Sequence, residues 1–231
     1  MIDTIHVGDL AFEVILSTRR KTVELGVERD GSLVVRAPTG IPAARLERFA
    51  RQKRMWVYEK LARKAELSRP TRRAREFVTG EGFAYLGRWY RLQLVANQDS
   101  AVKLVHGRFR LFRREAKRAR DHFVAWYAER GRRWLARRVA EWSPRLGTKS
   151  AIVEVRELGF RWGSCGRERV NFNWSTMTLP PAIIDYVIVH ELAHLQHPHH
   201  GPAFWAAVSR AMPDHERRKR WLAENGGDYG L

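Results

Sequence analysis

The stretch that most restricts the fold is Ile183-Ile184-Asp185-Tyr186-Val187-Ile188-Val189, which runs without a break into His190-Glu191-Leu192-Ala193-His194. A helix that is apolar nearly all round belongs inside a core rather than on a surface. The rest of the chain must therefore supply layers to cover it. Two imidazoles and a carboxylate carried into that interior need partners, and a metal ion is the partner their chemistry suits.

On a helix, His190 and His194 fall roughly 40° apart on one face and about 6 Å apart along the axis. Imidazoles so placed can share one Zn²⁺. Glu191, a quarter-turn away, can reach a metal-activated water without being a ligand, which is the arrangement of a zinc hydrolase: the metal acidifies water and the carboxylate takes its proton. The pattern predicts Glu191 as the catalytic base and one Zn²⁺ per chain. A catalytic site of this kind needs a third protein ligand. His197 shares the face of His190 but stands about 10 Å along the axis, too far unless the helix ends first. Pro198 disfavours helix for the residue before it, so the chain is expected to turn there and fold back. His200, followed by Gly201 and the apolar run Phe204-Trp205-Val208, is the favoured ligand. His199 comes second, and His197 is expected to face solvent or support a ligand from behind.

The ordered series Arg161-Trp162-Gly163-Ser164-Cys165, Asn171-Phe172-Asn173-Trp174, Pro180 to Val187, the HELAH helix and His200-Gly201-Pro202-Ala203-Phe204-Trp205 resembles the YgjP-like metallopeptidase family, related to the WLM and SprT-like proteases. The resemblance runs from about residue 18 to 225. It implies a zinc metallopeptidase whose third ligand is His200, the last histidine before the Gly-x-x-Phe stretch. Where metzincin proteases carry glycine in HExxHxxGxxH, this chain has His197, so its turn into the third ligand must differ. The implied fold class is α+β, a zincin-like metal-helix core with a small mixed sheet, preceded by a β-meander-rich N-terminal part.

The chain carries a net charge of +18, and its excess is concentrated. Residues 45–75 hold 12 Lys or Arg against 3 Asp or Glu, and residues 108–145 hold 13 against 4, which accounts for the whole surplus. Such segments can meet phosphates, so nucleic acid or a nucleotide is a candidate partner beside a protein or peptide substrate. Solvated faces of amphipathic helices would give the same counts. One cysteine, Cys165, allows no internal disulfide. The amino terminus lacks the pattern of a signal peptide and no window is apolar enough for a membrane span, so a soluble cytoplasmic protein is expected.

Taken in order, alternating apolar residues from Leu10 to Arg36 predict a β-meander with a turn at Asp30-Gly31, and Pro42 opens a helix to about Ala65 with Arg45, Arg48, Arg51, Arg54 and Lys64 on its outer face. Residues 68–75 form a connector. A second meander is expected over residues 77–112 and a long helix over 116–142, whose aromatic stripe suits a core and which should pack on the metal helix. Strands follow at 152–155, 159–163 and 170–174, then helices at 203–212 and 213–224. The predicted division is an N-terminal β-rich part with one basic helix, residues 1–115, and a zincin-like catalytic core, residues 116–231, or the two as one continuous domain. An edge strand beside a metal cleft can pair with an extended peptide, with Arg161 and Asn173 as substrate contacts and His215 as a further donor. Two other readings stay open: a metal-dependent phosphohydrolase acting on nucleoside triphosphates, and a DNA-guided protease or nucleic-acid-binding module.

Overall fold

The computed structural model describes residues 4–28, 31–67, 75–149, 151–159, 161–166 and 168–231, with backbone alone at 59 and 62–67. Asp30, Phe160 and most of the 68–75 connector lie outside them, as does the Lys64 side chain. The fold is mixed α and β, in two compact units, Met1–Arg69 and Pro70–Leu231.

The first unit contains β1 (Thr4–Val7), β2 (Leu10–Ser17), β3 (Glu24–Val27), β4 (Leu33–Pro38), α1 (Ala43–Gln52) and α2 (Arg54–Leu67). Ile5, Val7, Leu10, Phe12, Leu33 and Val35 close its core with Leu46 and Val57 from the helices. The expected meander is corrected: the order is β1-β2-β4-β3, with β2 and β4 parallel. Alternation fixes which face of a strand is buried and leaves its neighbour undetermined. The single expected helix is two, interrupted at Lys53 (φ −98°, ψ 7°). Arg45, Arg48, Arg51 and Arg54 are exposed.

The second unit begins with β5 (Gly82–Tyr85), β6 (Arg88–Val95), β7 (Val102–Val105) and β8 (Arg108–Phe112), in the order β5-β6-β8-β7 with β6 and β8 parallel. It repeats the topology of the first sheet, although no repeat is visible in the residues. α3 (Ala119–Trp142) crosses this sheet, and β9 (Ile152–Arg156), β10 (Gly163–Cys165) and β11 (Arg169–Asn173) follow as a three-stranded sheet of order β10-β11-β9. The strand expected at 159–163 therefore starts at Gly163, at its far end. α4 (Pro181–His194), α5 (Pro202–Ala211) and α6 (His215–Asn225) complete the unit.

The two units divide near residue 70, so the β5–β8 sheet belongs to the same unit as α3 and α4. Phe83, Leu92, Phe109 and Leu111 of the β5–β8 sheet share one core with Phe123 and Tyr127 of α3 and with Ile184, Ile188 and Leu192 of α4. The β5–β6 turn also joins the backbone ahead of α4: Leu86 and Gly87 donate to the carbonyls of Met177 and Thr178 at 2.9 and 3.1 Å. Gly87 has φ +76°, and a Cβ there would lie 2.8 Å from Pro180 Cα, so only glycine permits this approach.

Pro181 opens α4 where its missing N–H costs nothing. Ile183, Ile184, Val187, Ile188 and Val189 are β-branched and weak helix formers, yet each is at most 6% exposed. At roughly 1.5–3 kcal/mol per buried side chain, packing outweighs propensity. Asp185 is the one polar residue in the run, and α3 answers it: Arg138 Nε donates to Oδ1 at 2.9 Å and Nη2 to Oδ2, while Nη1 reaches Glu141. Asp185→Ala is expected to cost about 2 kcal/mol, because it leaves a half-buried guanidinium short of a partner. Thermal unfolding should fall by several degrees; an unchanged midpoint would show the pair to be dispensable.

Candidate metal centre

α4 ends at His194, one turn before His197, so the backbone is free to reverse at Pro198. His194 fixes the start of the turn by donating from Nδ1 to the His197 carbonyl at 3.1 Å. That leaves its Nε2 as a lone pair. The loop then carries His200 back over the helix before α5 begins at Pro202. His200 Nε2 lies 3.1 Å from His194 Nε2 and 3.1 Å from His190 Nε2. Among the described residues, these three form the group whose donor atoms could hold one metal ion. His199, the second choice, is exposed and outside it, and His197 contributes its carbonyl.

The floor under the rings is Phe204, fully buried, with its centroid 5.1, 4.6 and 4.8 Å from those of His190, His194 and His200. Trp205 stacks on His200 at 5.8 Å, and Lys219 Nζ stands 4.3 Å from the indole centroid. Burial pushes His190 down to about 3, helped by the neighbouring histidines, and also lowers His194 and His200. The rings are therefore neutral near pH 7. With the His194 tautomer set by its carbonyl, one proton among three converging nitrogens bridges at most one of the two 3.1 Å contacts well. A cation with an affinity for imidazole satisfies all three. The donor set thus fits a metal ion; with Nε2 of His190 as a ligand its Nδ1 carries the proton, buried without a hydrogen-bond partner among the described residues.

Glu191 points into the space between α4 and β10 and is 7% exposed. Burial pushes its carboxyl up to about 8, opposed by the charge of Arg161. Its position depends on Gly163. A Cβ on that residue would lie 2.7 Å from Glu191 Cγ and 2.8 Å from Oε1. Gly163→Ala should displace the carboxylate and slow any reaction that uses it roughly 10²-fold, the scale of an ångström-sized misplacement. Metal content should stay as in wild type. Full activity in that variant would remove Gly163 from the account.

Other expected site residues are placed differently. Arg161 is exposed, with its charge acting on Glu191. Asn173 lies inside the fold: it is 2% exposed, donates to the Gly159 carbonyl at 2.8 Å and accepts from Ser175 N–H at 3.2 Å. His215 is also outside the centre, buried behind Trp205 and bonded from Nδ1 to the Met212 carbonyl at 3.2 Å. Tyr186, which no sequence pattern singles out, sits one turn before His190 with ring centroids 6.0 Å apart, its phenol pushed up to about 12 chiefly by burial. The Cys165 thiol is pushed up to about 11 by burial and then by Glu191, which makes it a poor nucleophile.

A model of the YgjP-like metallopeptidase domain matches residues 21–225. No curated protein matches. Among solved structures, the crystal structure of the metallopeptidase zymogen of Pyrococcus abyssi abylysin is similar at 20% identity over 38% of this chain and 90% of that one, with a TM-score of 0.35, too slight a likeness to bear on the fold. No helix among the described residues is long and apolar enough to cross a membrane. A metallopeptidase is a hydrolase that requires a metal and acts on protein or peptide. The family match spans the β10 strand, the HELAH helix and the return to His200, and the chain belongs to the YgjP-like metallopeptidase family.

Proposed function

We propose that the chain is a zinc-dependent peptidase with a zincin-like core, in which His190, His194 and His200 hold the ion and Glu191 is the catalytic base. The observation that carries this reading is the convergence of three neutral imidazole Nε2 atoms beside a buried carboxylate. Bound zinc would supply a Lewis acid that brings the pKa of water towards about 7 and polarises a carbonyl. The residues do the rest. Glu191 accepts the proton of the attacking water and returns it to the leaving amine. Arg161 draws the Glu191 carboxyl towards the ionised form a base requires. Phe204 and Trp205 exclude solvent from one side of the rings, which strengthens electrostatics there. The outer edge of β10, which pairs with β11 on its other side, offers backbone groups to an extended peptide.

Soluble cytoplasmic residence remains part of this proposal. The phosphohydrolase reading has no specific observation in its favour. The test is hydrolysis of an unfolded protein and of nucleoside triphosphates by the zinc-loaded chain, with and without chelator. Chelator-sensitive appearance of new peptide amino termini is expected. Phosphate release in their place would turn the same centre to the other bond.

A further inference from the structure

Away from the histidines, α3 and β5 form a recess of about 380 Å³ lined by Tyr85, Glu129, Arg130, Arg133, Trp134 and Arg137. We propose that this recess binds single-stranded nucleic acid, through phosphates on its arginines and a base against its aromatic side chains. It contains no residue of the metal centre and stands independently of the peptidase reading.

The arginines come from three successive positions on one face of α3, spanning roughly 10 Å along the axis. Their neighbour Arg138, turned towards α4, is fully used by Asp185 and Glu141. By contrast, Arg130 and Arg133 are exposed and have no carboxylate partner among the described residues, and Arg137 has only a 3.7 Å contact with Glu141. Spacings of three and four residues bring these like charges side by side, where they repel. Glu129 in the same lining offsets one of the three charges, and an anionic ligand relieves the repulsion that remains and receives guanidinium forks matched to phosphate.

The aromatic groups decide the kind of polyanion. Of the recess arginines, Arg130 lies over the Trp126 ring at 5.7 Å, so that cation is already seated on aromatic surface. Half-buried Tyr85 and Trp134 reach the recess itself. A base unstacked from its neighbours can enter a recess of this size and lie against a ring, as in single-strand binding. The bases of a duplex stay stacked inside it and cannot. An acidic protein segment would use the arginines and leave the aromatic surface without a matching group.

The test is fluorescence anisotropy with a labelled 20-residue oligothymidylate on the full chain and on the combined variant Arg130→Ala, Arg133→Ala, Arg137→Ala. Without these guanidinium groups about three phosphates go unneutralised, so the slope of log affinity against log salt should shrink by roughly 2, and affinity near 0.15 M salt should fall at least about tenfold. Ultraviolet crosslinking should attach the oligonucleotide to the peptide carrying Tyr85 or Trp134. The exposed single variant Arg133→Glu should show the same direction of change with an unaltered melting temperature. Unchanged affinity and slope would overturn the proposal, as would a duplex of equal length that binds as tightly and weakens as much in the variant. Polyglutamate displacing the oligonucleotide at equal charge concentration would assign the recess to acidic protein and overturn it as well.

Discussion

Glu191→Gln is expected to lower kcat/KM for peptide hydrolysis by roughly 10²–10⁴-fold, the range associated with a positioned general base. The amide is nearly isosteric with the carboxylate, so the approach of Gly163 and the packing of α4 against β10 are preserved. It can neither take a proton from water near neutral pH nor hand one to the leaving amine. Since the side chain is 7% exposed and its carboxyl is pushed up by burial, replacing it with a neutral group relieves a desolvation cost. The variant should therefore fold at least as well as wild type and keep its metal. Titration of metal by mass spectrometry alongside single-turnover hydrolysis separates these effects. A variant that binds metal normally and cleaves at the wild-type rate would end the assignment of Glu191 as base.

His200→Ala is expected to act one step earlier, on metal affinity. His200 makes both of the 3.1 Å Nε2 contacts and closes the group from the loop side, while His190 and His194 are held by their helix. Its loss leaves two ligands, so affinity should drop by more than the roughly 10–100-fold that removal of a group supporting a ligand costs. The stability readout is independent of activity. A ligand present at about 100 times its Kd stabilises the folded state by roughly 2.7 kcal/mol, so wild type should melt higher with zinc than with chelator, and His200→Ala should melt alike in both. An equal zinc-dependent shift in the variant would place the ion elsewhere.

The grouping of His190, His194 and His200 was legible from the sequence because its geometry is local. Four-residue spacing puts His190 and His194 on one face wherever a helix forms, and Pro198 with Gly201 restricts how soon the chain can come back. Strand neighbours are not local. The alternation at Phe12 and Val35, or at Leu92 and Leu111, is the same in a meander as in the observed order, where β2 lies beside β4 and β6 beside β8. The helix break at Lys53 has no glycine or proline to mark it. The division near residue 70 did have a marker, the connector with Pro70 and no apolar pattern, but the aromatic residues of β5 to β8 carry no sign that α3 is the surface they cover.

Two residues near the centre had local signals that pointed to different roles. Asn173 precedes a short 3₁₀ turn, Trp174–Thr178, and caps it, a preference of asparagine that accounts for its burial better than substrate contact does. Gly163 stands at the head of a strand, where a glycine often marks a close approach of another group. Here that group is the Glu191 side chain. Arg161 and His215 were equivalent candidates in the sequence; Trp205 separates them in the structure by lying between His215 and the centre.

Anomalous diffraction at the zinc edge, on crystals of the zinc-loaded chain, would test the central claim most directly. One peak is predicted about 2.0–2.1 Å from Nε2 of His190, His194 and His200 together. A peak bound to other side chains, or none at these nitrogens under saturating zinc, would contradict it.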